Sequence, residues 1–231
     1  MSQILCKDVS LSYDGVCVSH GVSFSIEKGD YFCIVGENGS GKTTLMKTLL
    51  GLKAPDCGEI LFGDGLRAGD VGYLPQRNEL QSDFPASVRE VVLSGCARQS
   101  KVSFLGGRAR REMARERMEQ MEIAHLADRP FRQLSGGQQR KVLLARALCA
   151  AEKVLLLDEP VAALDPRATE ELYGIIERLN RERGITILMI THDLPAVMRY
   201  ATRVLHMSQR PVLYDSARAY GADFPRGEVA K

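Results

Sequence analysis

The apolar residues of this chain fall into short unbroken runs that alternate with longer stretches of helical periodicity. Unbroken runs of this length are typical of strands buried on both faces of a parallel sheet. They lie at Tyr31–Val35, Val71–Leu74, Lys153–Asp158 and Ile185–Ile190. Helical stretches lie at Leu45–Leu50, Gln138–Ala150 and Pro166–Glu182. The pattern therefore predicts an α/β fold with a mostly parallel sheet and helices on both of its faces.

The first 35 residues depart from this alternation. Period-two patterning is only partial there, at Ile4–Cys6 and Val22–Ile26, with turn residues at Asp14-Gly15 and Lys28–Asp30. This pattern predicts short strands joined by turns. Two further strands are predicted at Glu59–Phe62 and Arg210–Tyr214.

The segment from about Ser87 to Leu126 is charged and has helical periodicity, interrupted by a predicted loop at Ser103–Gly107. No linker-like composition bounds it, so we interpret residues from about 77 to 150 as a helical subdomain inserted within a single domain of residues 1–231. Its most basic part, Arg108–Arg117, is typical of a solvated helix face. Attraction to an anionic membrane surface or partner is the alternative.

The composition of the chain argues against a membrane-spanning protein and against a nucleic-acid-binding protein. Hydrophobic residues make up 45% of the chain and charged residues 26%, as in soluble globular proteins. No apolar run reaches the ~18 residues that a membrane-spanning helix needs, and we expect a cytoplasmic chain. A net charge of +2 is too small to indicate a nucleic-acid surface. Because the six cysteines include no C-x-x-C pair and the four histidines lack metal-ligand spacing, we expect structural thiols without a metal or disulfide role.

One stretch matches the phosphate-binding loop pattern G-x-x-x-x-G-K-[ST], between a predicted strand and a predicted helix. It consists of Gly36, Glu37, Asn38, Gly39, Ser40, Gly41, Lys42, Thr43 and Thr44. Its glycines permit positive φ, which turns backbone N–H groups inward around phosphate oxygens, and the helix start adds its positive dipole end. Lys42 is placed to reach the β- and γ-phosphates, and the Thr43 hydroxyl to ligate Mg²⁺.

Three further polar residues follow predicted strands. Asp158 and Glu159 end one apolar run and His192 follows another, and ligands of such sheets bind beyond the carboxyl ends of the strands. Asp158 is the expected holder of Mg²⁺ beside a phosphate loop. In an extended backbone Glu159 points to the opposite face, where it would act as general base on a water in line with the γ-phosphate. A simple strand-to-turn transition is the alternative.

A second anion-binding helix start is predicted at Leu134–Gln138. Ser135 precedes Gly136 and Gly137 directly before a helix. A helix cap in a flexible turn is the alternative, and it explains Ser-Gly but not a whole second phosphate-type site. Two half-sites in one chain suggest that each nucleotide is completed by a second copy of the protein.

These motifs together resemble the ATP-binding cassette (ABC) family, in the family's order and over nearly the whole chain. Gly36–Thr44 resembles the Walker A loop, Gln76 the Q-loop glutamine, Leu134–Gln138 the signature sequence, Leu155–Glu159 the Walker B strand, Ala163–Asp165 the D-loop and His192 the switch histidine. Tyr13, which packing alone could also explain, matches the family's adenine-stacking aromatic. The resemblance implies a P-loop NTPase core, an N-terminal antiparallel β subdomain and the inserted helical subdomain.

The resemblance also implies an ATPase that binds ATP and Mg²⁺ and closes as a head-to-tail homodimer around two ATP molecules. The phosphate loop, Gln76, Asp158, Glu159 and His192 of one subunit would face Ser135 and Gly137 of the other. Gly136, Gln138 and Asp165 are also implied to contact nucleotide. Gln76 would sense Mg²⁺ and the γ-phosphate and pass closure to a membrane partner, joining Thr43 and Asp158 at the metal. His192 would contact the γ-phosphate and position both the attacking water and Glu159.

Two function classes fit such an ATPase. One is the energising subunit of a transporter, which would lie at the cytoplasmic face of the membrane on a separate permease and reach an extracytoplasmic binding protein only indirectly. The other is a soluble ABC ATPase of DNA repair, chromosome maintenance or translation, which usually carries a long coiled-coil insertion or two cassettes. This sequence shows one cassette, no long heptad segment and no basic stripe, which favours transport.

The resemblance extends to the cargo class. Asp83–Gly95 resembles the segment after the Q-loop of bacterial zinc and manganese importers, where a D-F-P-x-[ST]-V…V-V-L-x-G pattern is frequent. Gln138–Leu148 is similar to the same subgroup and to iron-siderophore importers, although Arg140-Lys141 stands where Gln-Arg is commoner. Val161–Ala163 likewise departs from the subgroup's most typical sequence. We expect an importer of divalent metal ions, with siderophore, cobalamin or other cargo as the alternative.

Overall fold

The computed structural model describes residues 2–76, 85–96, 107–151 and 153–224. The chain divides into two compact units, Met1–Gly69 with Gly184–Lys231, and Asp70–Arg183. The strands are β1 (Ser2–Tyr13), β2 (Val16–Glu27), β3 (Tyr31–Gly36), β4 (Cys57–Phe62), β5 (Val71–Leu74), β6 (Val154–Asp158), β7 (Thr186–Ile190), β8 (Arg203–Met207) and β9 (Val212–Tyr214). The helices are α1 (Lys42–Leu49), α2 (Val88–Gly95), α3 (Gly107–Gln120), α4 (Gly136–Ala150), α5 (Pro166–Arg183), α6 (Leu194–Tyr200) and α7 (Ala217–Asp223).

The first unit contains an antiparallel sheet in the order β2-β1-β4. β1 and β2 form a hairpin of two 12-residue strands, and its turn has positive φ at Asp14 (48°) and Gly15 (79°), as a two-residue hairpin turn requires. The predicted short strands at Ile4–Cys6 and Val22–Ile26 are therefore wrong in length. Register shifts interrupt the β1–β2 ladder at several points. Because a bulge resets the alternation of side chains, one long strand looks like short pieces in the sequence.

The same unit holds strands in the order β7-β3-β8-β9. β3 is parallel to both neighbours, with Ile34 opposite Ile190 on β7 and Val35 opposite His206 on β8, while β9 is antiparallel to β8. The predicted buried strands at β3 and β7 and the final strand at β9 are confirmed. β8 escaped prediction because Arg203 and His206 interrupt its apolar residues, and α6 and α7 lie in stretches without a clear periodic pattern.

The second unit contains the parallel strands β5 and β6 and helices α2 to α5. Leu74 lies opposite Leu157, so the residues after both strands emerge at the same edge. α4 begins at Gly136, earlier than the predicted Gln138, because Ser135 caps it. The helical character of the charged segment is confirmed by α2 and α3. The predicted loop at Ser103–Gly107 lies outside the described residues except for Gly107.

The six cysteines are free thiols. Cys6 and Cys33 are buried in the first unit, and burial raises the pKa of the Cys6 thiol to about 12 and that of Cys33 further. Cys149 is fully buried in the second unit. These thiols therefore pack as small core residues.

Within the described ranges, no helix is both long enough and apolar enough to cross a bilayer.

Candidate functional site

The phosphate-loop residues form a strand–loop–helix segment in the first unit. β3 ends at Gly36 and α1 begins at Lys42, and Gly39 (φ 81°) and Gly41 (φ 95°) between them have a left-handed backbone. Gly41 caps α1 without a side-chain hydrogen bond. The first N–H groups of the helix thus lack a side-chain cap, and together with the helix dipole they favour an anion at this position.

Lys42 folds back on this loop. Its Nζ donates hydrogen bonds to the carbonyl oxygens of Gly36 (2.8 Å) and Glu37 (2.7 Å), and the residue is only 8% exposed. The ammonium group is therefore held against the loop, where the phosphates of a nucleotide are expected. Thr43 is exposed and Thr44 is buried, so the Thr43 hydroxyl is the one of the two that a metal ion can reach.

The Ser40 hydroxyl fits this loop to a phosphate group, and Gly36 fits the loop to the end of β3. The Ser40 hydroxyl oxygen is buried and has no hydrogen-bond partner among the described residues, whereas buried polar groups normally have one. Gly36 has φ +140°, and a Cβ placed on it would lie 2.3 Å from the carbonyl oxygen of Met207. Only glycine fits at this end of β3, because any side chain would collide with the Met207 carbonyl. Glu37 and Asn38 are exposed on the loop.

His192 and Tyr13 belong to the same unit as the loop. The Thr191 N–H donates to the Ile34 carbonyl oxygen (3.3 Å) beyond the end of β7. The exposed His192 therefore follows β7 at the sheet edge where Gly36 ends β3. Tyr13 is 60% exposed at the end of β1, so its ring is accessible for stacking on a base.

His206 is a neighbour of the loop that the sequence did not reveal. Its ring stacks on Phe224, with centroids 4.6 Å apart and 9° between the planes. Burial lowers the pKa of His206 below its ordinary value, the Glu37 carboxylate acts in the opposite direction, and Lys42 adds a smaller lowering. The only signal was a single histidine in the interrupted strand β8, outside any motif.

The second unit holds Gln76, Asp158 and Glu159 at the ends of its two parallel strands. Asp158 is 8% exposed at the last position of β6. Glu159 has φ +45°, so the expectation that it continues an extended backbone is wrong, and the direction of its side chain stays a prediction. The chain leaves the strand at Asp158 and enters a left-handed turn. Such a conformation is costly for a residue with a side chain, and backbone strain of this kind concentrates at functional sites.

Arg140 on α4 also reaches this edge, and no motif marked it. Its guanidinium donates hydrogen bonds to the carbonyl oxygens of Pro75 (2.7 Å) and Gln76. Burial lowers the pKa of the Arg140 guanidinium below its ordinary value, and the Asp158 carboxylate acts in the opposite direction. A half-buried cation therefore lies among the predicted site residues of this unit.

Ser135 begins α4 with a reciprocal cap. Its Oγ accepts a hydrogen bond from the Gln138 N–H (3.3 Å), and Gln138 Oε1 accepts one from the Ser135 N–H (3.1 Å). Both residues also line a cavity of about 220 Å³, whose wall includes the Lys141–Glu171 ion pair at 3.2 Å. The helix-cap interpretation therefore holds, and the capped helix start also faces an open cavity.

The start of α5 packs against the start of α4. A Cβ on Gly137 would lie 2.9 Å from the Cβ of Ala168, closer than two carbon side chains approach without a shift. Asp165 caps α5, because its Oδ1 accepts a hydrogen bond from the Ala168 N–H (2.9 Å). Gly136 lies beside Leu164, where an added Cβ would make ordinary contact at 3.5 Å. The predicted residues of this unit thus form two groups, one at the strand ends and one at the two helix starts.

Comparison with known proteins identifies the class. Residues 19–162 match the family model described as ABC transporter. The zinc import ATP-binding protein ZnuC of Jannaschia sp. is 36% identical to this chain, over 98% of this chain and 90% of its own length. A probable metal transport system ATP-binding protein of Chlamydia muridarum is 38% identical, over 90% of this chain and 89% of its own length.

Solved structures agree. The cbiO1 protein of Clostridium perfringens, part of the ABC transporter complex cbiONQ, superposes with a TM-score of 0.83 at 30% identity, covering 96% of this chain and 92% of its own. An ATP-binding cassette solved as a dimer in a post-hydrolysis state, bound to ADP and Pi, superposes with a TM-score of 0.75 at 26% identity, over 90% of this chain and 95% of its own. The fold is that of an ATP-binding cassette. The chain belongs to the ABC transporter family.

Proposed function

We propose that this chain is the ATP-binding and ATP-hydrolysing subunit of an ABC importer of divalent metal ions, zinc or manganese. The observation that carries the nucleotide site is the phosphate loop. Left-handed glycines and a helix start without a side-chain cap coincide there with a buried Ser40 hydroxyl that has no hydrogen-bond partner among the described residues. The names of the two relatives, one for zinc import and one for metal transport, support the cargo class.

Nucleotide binding would use the residues of the first unit. The exposed Tyr13 ring would stack on the adenine, and the loop N–H groups would bind the phosphate oxygens. Lys42 would exchange its bonds to the carbonyls of Gly36 and Glu37 for bonds to the β- and γ-phosphates. The exchange is favourable because an anionic phosphate oxygen attracts the ammonium more strongly than a neutral carbonyl oxygen does.

Magnesium would be held by the oxygens of Thr43, Gln76 and Asp158. A hydroxyl, an amide carbonyl and a carboxylate are the hard oxygen donors that Mg²⁺ prefers. When bound, the ion would neutralise charge that develops on the β- and γ-phosphate oxygens. The exposure of Thr43 and the position of Asp158 at the end of β6 fit this role.

Hydrolysis would depend on Glu159 as general base. Its carboxylate, on the left-handed residue that follows β6, would accept a proton from the water that attacks the γ-phosphate. His192 would contact the γ-phosphate and orient that water. Most of the lowering of the barrier would come from positioning and charge neutralisation, as in phosphoryl transfer generally.

Each nucleotide would be completed by a second copy of the chain. Ser135, Gly136, Gly137 and Gln138 at the capped start of α4, with Asp165 at the start of α5, would cover the phosphates bound by the other copy. The similar cassette that was solved as a dimer with ADP and Pi supports this arrangement. Hydrolysis would reopen the dimer and move a separate membrane permease, placing the chain peripherally at the cytoplasmic face of the membrane.

The hydrolytic assignment is tested with Glu159→Gln. The amide cannot act as a base, so ATP hydrolysis should fall at least about 100-fold, the low end of a general base's typical contribution, and the ATP-bound dimer should accumulate. The control is Glu182→Gln, which changes an exposed residue at the end of α5. Light scattering with ATP and Mg²⁺ measures the molar mass and so distinguishes monomer from dimer. A Glu159→Gln variant that stays monomeric with normal turnover would contradict the assignment.

The cargo is tested by uptake. A strain that lacks this chain should lose accumulation of zinc or manganese, and the wild-type chain should restore it while Lys42→Ala should not. Uptake of an iron-siderophore and of cobalamin is measured in the same strains. Loss of either of these, with zinc and manganese uptake unchanged, would overturn the cargo assignment and leave the ATPase assignment intact.

A further inference from the structure

Arg140 joins the helix that begins at Ser135 to the segment that follows β5. Arg140 lies about one turn after Gly136, the first residue of α4, so its Cα moves with the helix start. Its guanidinium donates to two successive carbonyl oxygens, those of Pro75 (2.7 Å) and Gln76. The contact connects positions 65 and 64 residues apart in the sequence.

The chemistry of this contact suits positioning. A guanidinium presents its donors in a rigid planar fork, so two bonds to neighbouring carbonyls fix the direction of the backbone as well as its distance. Because the guanidinium binds main-chain carbonyl oxygens, it holds the peptide units of Pro75 and Gln76 without using the Gln76 side chain. That side chain is left available to bind a ligand. The half-buried Arg140 also lies in the field of the Asp158 carboxylate, which favours its charged form.

We propose that Arg140 is a positioning residue that fixes the backbone of Gln76, and thereby couples the start of α4 to the glutamine that is proposed to hold Mg²⁺. The proposal rests on the role proposed above for Gln76. A shift of the first turns of α4 on closure over a nucleotide would move the guanidinium fork and carry the Gln76 peptide with it. This chain has Arg140-Lys141 where the importers it resembles commonly have Gln-Arg.

A positioning role for Arg140 and mere anchoring of α4 predict different kinetics. Replacing an anchoring residue would lower the stability of the fold and reduce the apparent kcat only in proportion to the folded fraction. It would leave the KM for ATP and the Mg²⁺ dependence unchanged. Replacing a positioning residue would lower kcat and change the KM for ATP little, because the phosphates of ATP are bound by the residues of the phosphate loop and not by Arg140. It would also raise the Mg²⁺ concentration needed for half-maximal activity, because Gln76 is one of the proposed metal-contacting groups.

The experiment compares Arg140→Met, Arg140→Lys and Arg140→Gln in the purified full-length chain with ATP and Mg²⁺. Arg146→Met, on the same helix, is the control for loss of a partly buried arginine. We expect kcat to fall by about tenfold to 100-fold in Arg140→Met, within the range that a small misplacement of a catalytic group costs, with KM for ATP within about twofold. Arg140→Lys should have a kcat as low as that of Arg140→Met, because an ammonium has no planar fork. The kcat of Arg140→Gln should lie between those of Arg140→Met and the wild-type chain.

A double-mutant cycle with Gln76→Ala decides whether Arg140 acts through Gln76. If it does, Arg140→Met should lower kcat little further in the Gln76→Ala background, because coupled residues are non-additive. Equal losses in both backgrounds, or an Arg140→Met chain with unchanged kcat and Mg²⁺ dependence, would overturn the proposal. A Gln76→Ala chain with normal turnover would instead refute the role of Gln76 itself. Arg140→Lys supplies the same cycle if Arg140→Met fails to fold.

Discussion

At the scale of single residues, the segment between β6 and α5 stands out for its backbone. Glu159 has φ 45° and Ala163 has φ 62°, and neither is glycine. A side chain in the left-handed region costs about 1–2 kcal/mol. Two such residues in the short segment that carries the proposed general base indicate that the geometry of this segment is maintained at the expense of stability.

Ala163→Gly tests this interpretation. Glycine removes the steric cost at φ 62°, and the added entropy of the unfolded chain offsets part of the gain. We expect the free energy of unfolding in urea to rise by about 0.5–1 kcal/mol. The matched control is Ala162→Gly at a neighbour without positive φ, which should lose about 0.4–1 kcal/mol through entropy alone. Equal losses in the two variants would show that Ala163 is not strained.

At the scale of elements, two helices begin with the same reciprocal cap. Ser87 and Glu90 cap α2 as Ser135 and Gln138 cap α4. Replacing either serine by alanine should lower the free energy of unfolding by about 1 kcal/mol. Only Ser135→Ala should also weaken ATP-dependent dimerisation, because only α4 is proposed to cover a nucleotide. Denaturant unfolding and light scattering with ATP measure the two effects, and equal dimerisation of both variants would argue against a nucleotide contact by Ser135.

The packing of α7 beside β8 gives a pH dependence. Burial lowers the pKa of His206, which stacks on Phe224, so the unfolded chain takes up the proton more readily than the folded one. The stability that comes from this is present above the ordinary pKa of 6.5 and is lost as pH falls through the folded-state pKa. His206→Phe, which keeps an aromatic ring, should flatten the fall in thermal midpoint below pH 6.5. Parallel curves for the two proteins would contradict this.

The sequence predicted the elements whose information is local. The run Tyr31–Val35 and the loop after it are predicted from neighbouring residues, because the buried strand and the phosphate loop together span only residues 31–44. The long hairpin strands were missed, since bulges reset their alternation. The left-handed backbone of Glu159 and the bond from Arg140 to Gln76 were missed for another reason. A single φ angle leaves no periodic signal, and a contact across 64 residues leaves none in a local pattern.

At the scale of the whole molecule, the predicted site residues lie in two separate sets. The phosphate loop, Tyr13 and His192 belong to one unit, and Gln76, Asp158, Glu159 and the helix starts at Ser135 and Asp165 belong to the other. Under the proposed function the start of α4 serves the nucleotide of another copy. Replacing Lys42 would then damage the phosphate loop and leave the start of α4 able to cover a nucleotide. Replacing Ser135 would damage the start of α4 and leave the phosphate loop able to bind one.

Mixing two inactive variants tests this head-to-tail arrangement. Lys42→Ala removes the phosphate-binding ammonium, and Ser135→Arg places a bulky side chain at an exposed helix start. A mixed dimer would hold one site in which both defects meet and one site that is intact. With random pairing, half of the dimers are mixed and each has one of two sites intact, so ATP hydrolysis should recover to about a quarter of the wild-type rate. The separate variants measured at the same total concentration are the controls. A mixture no more active than their average would contradict sites shared between two copies.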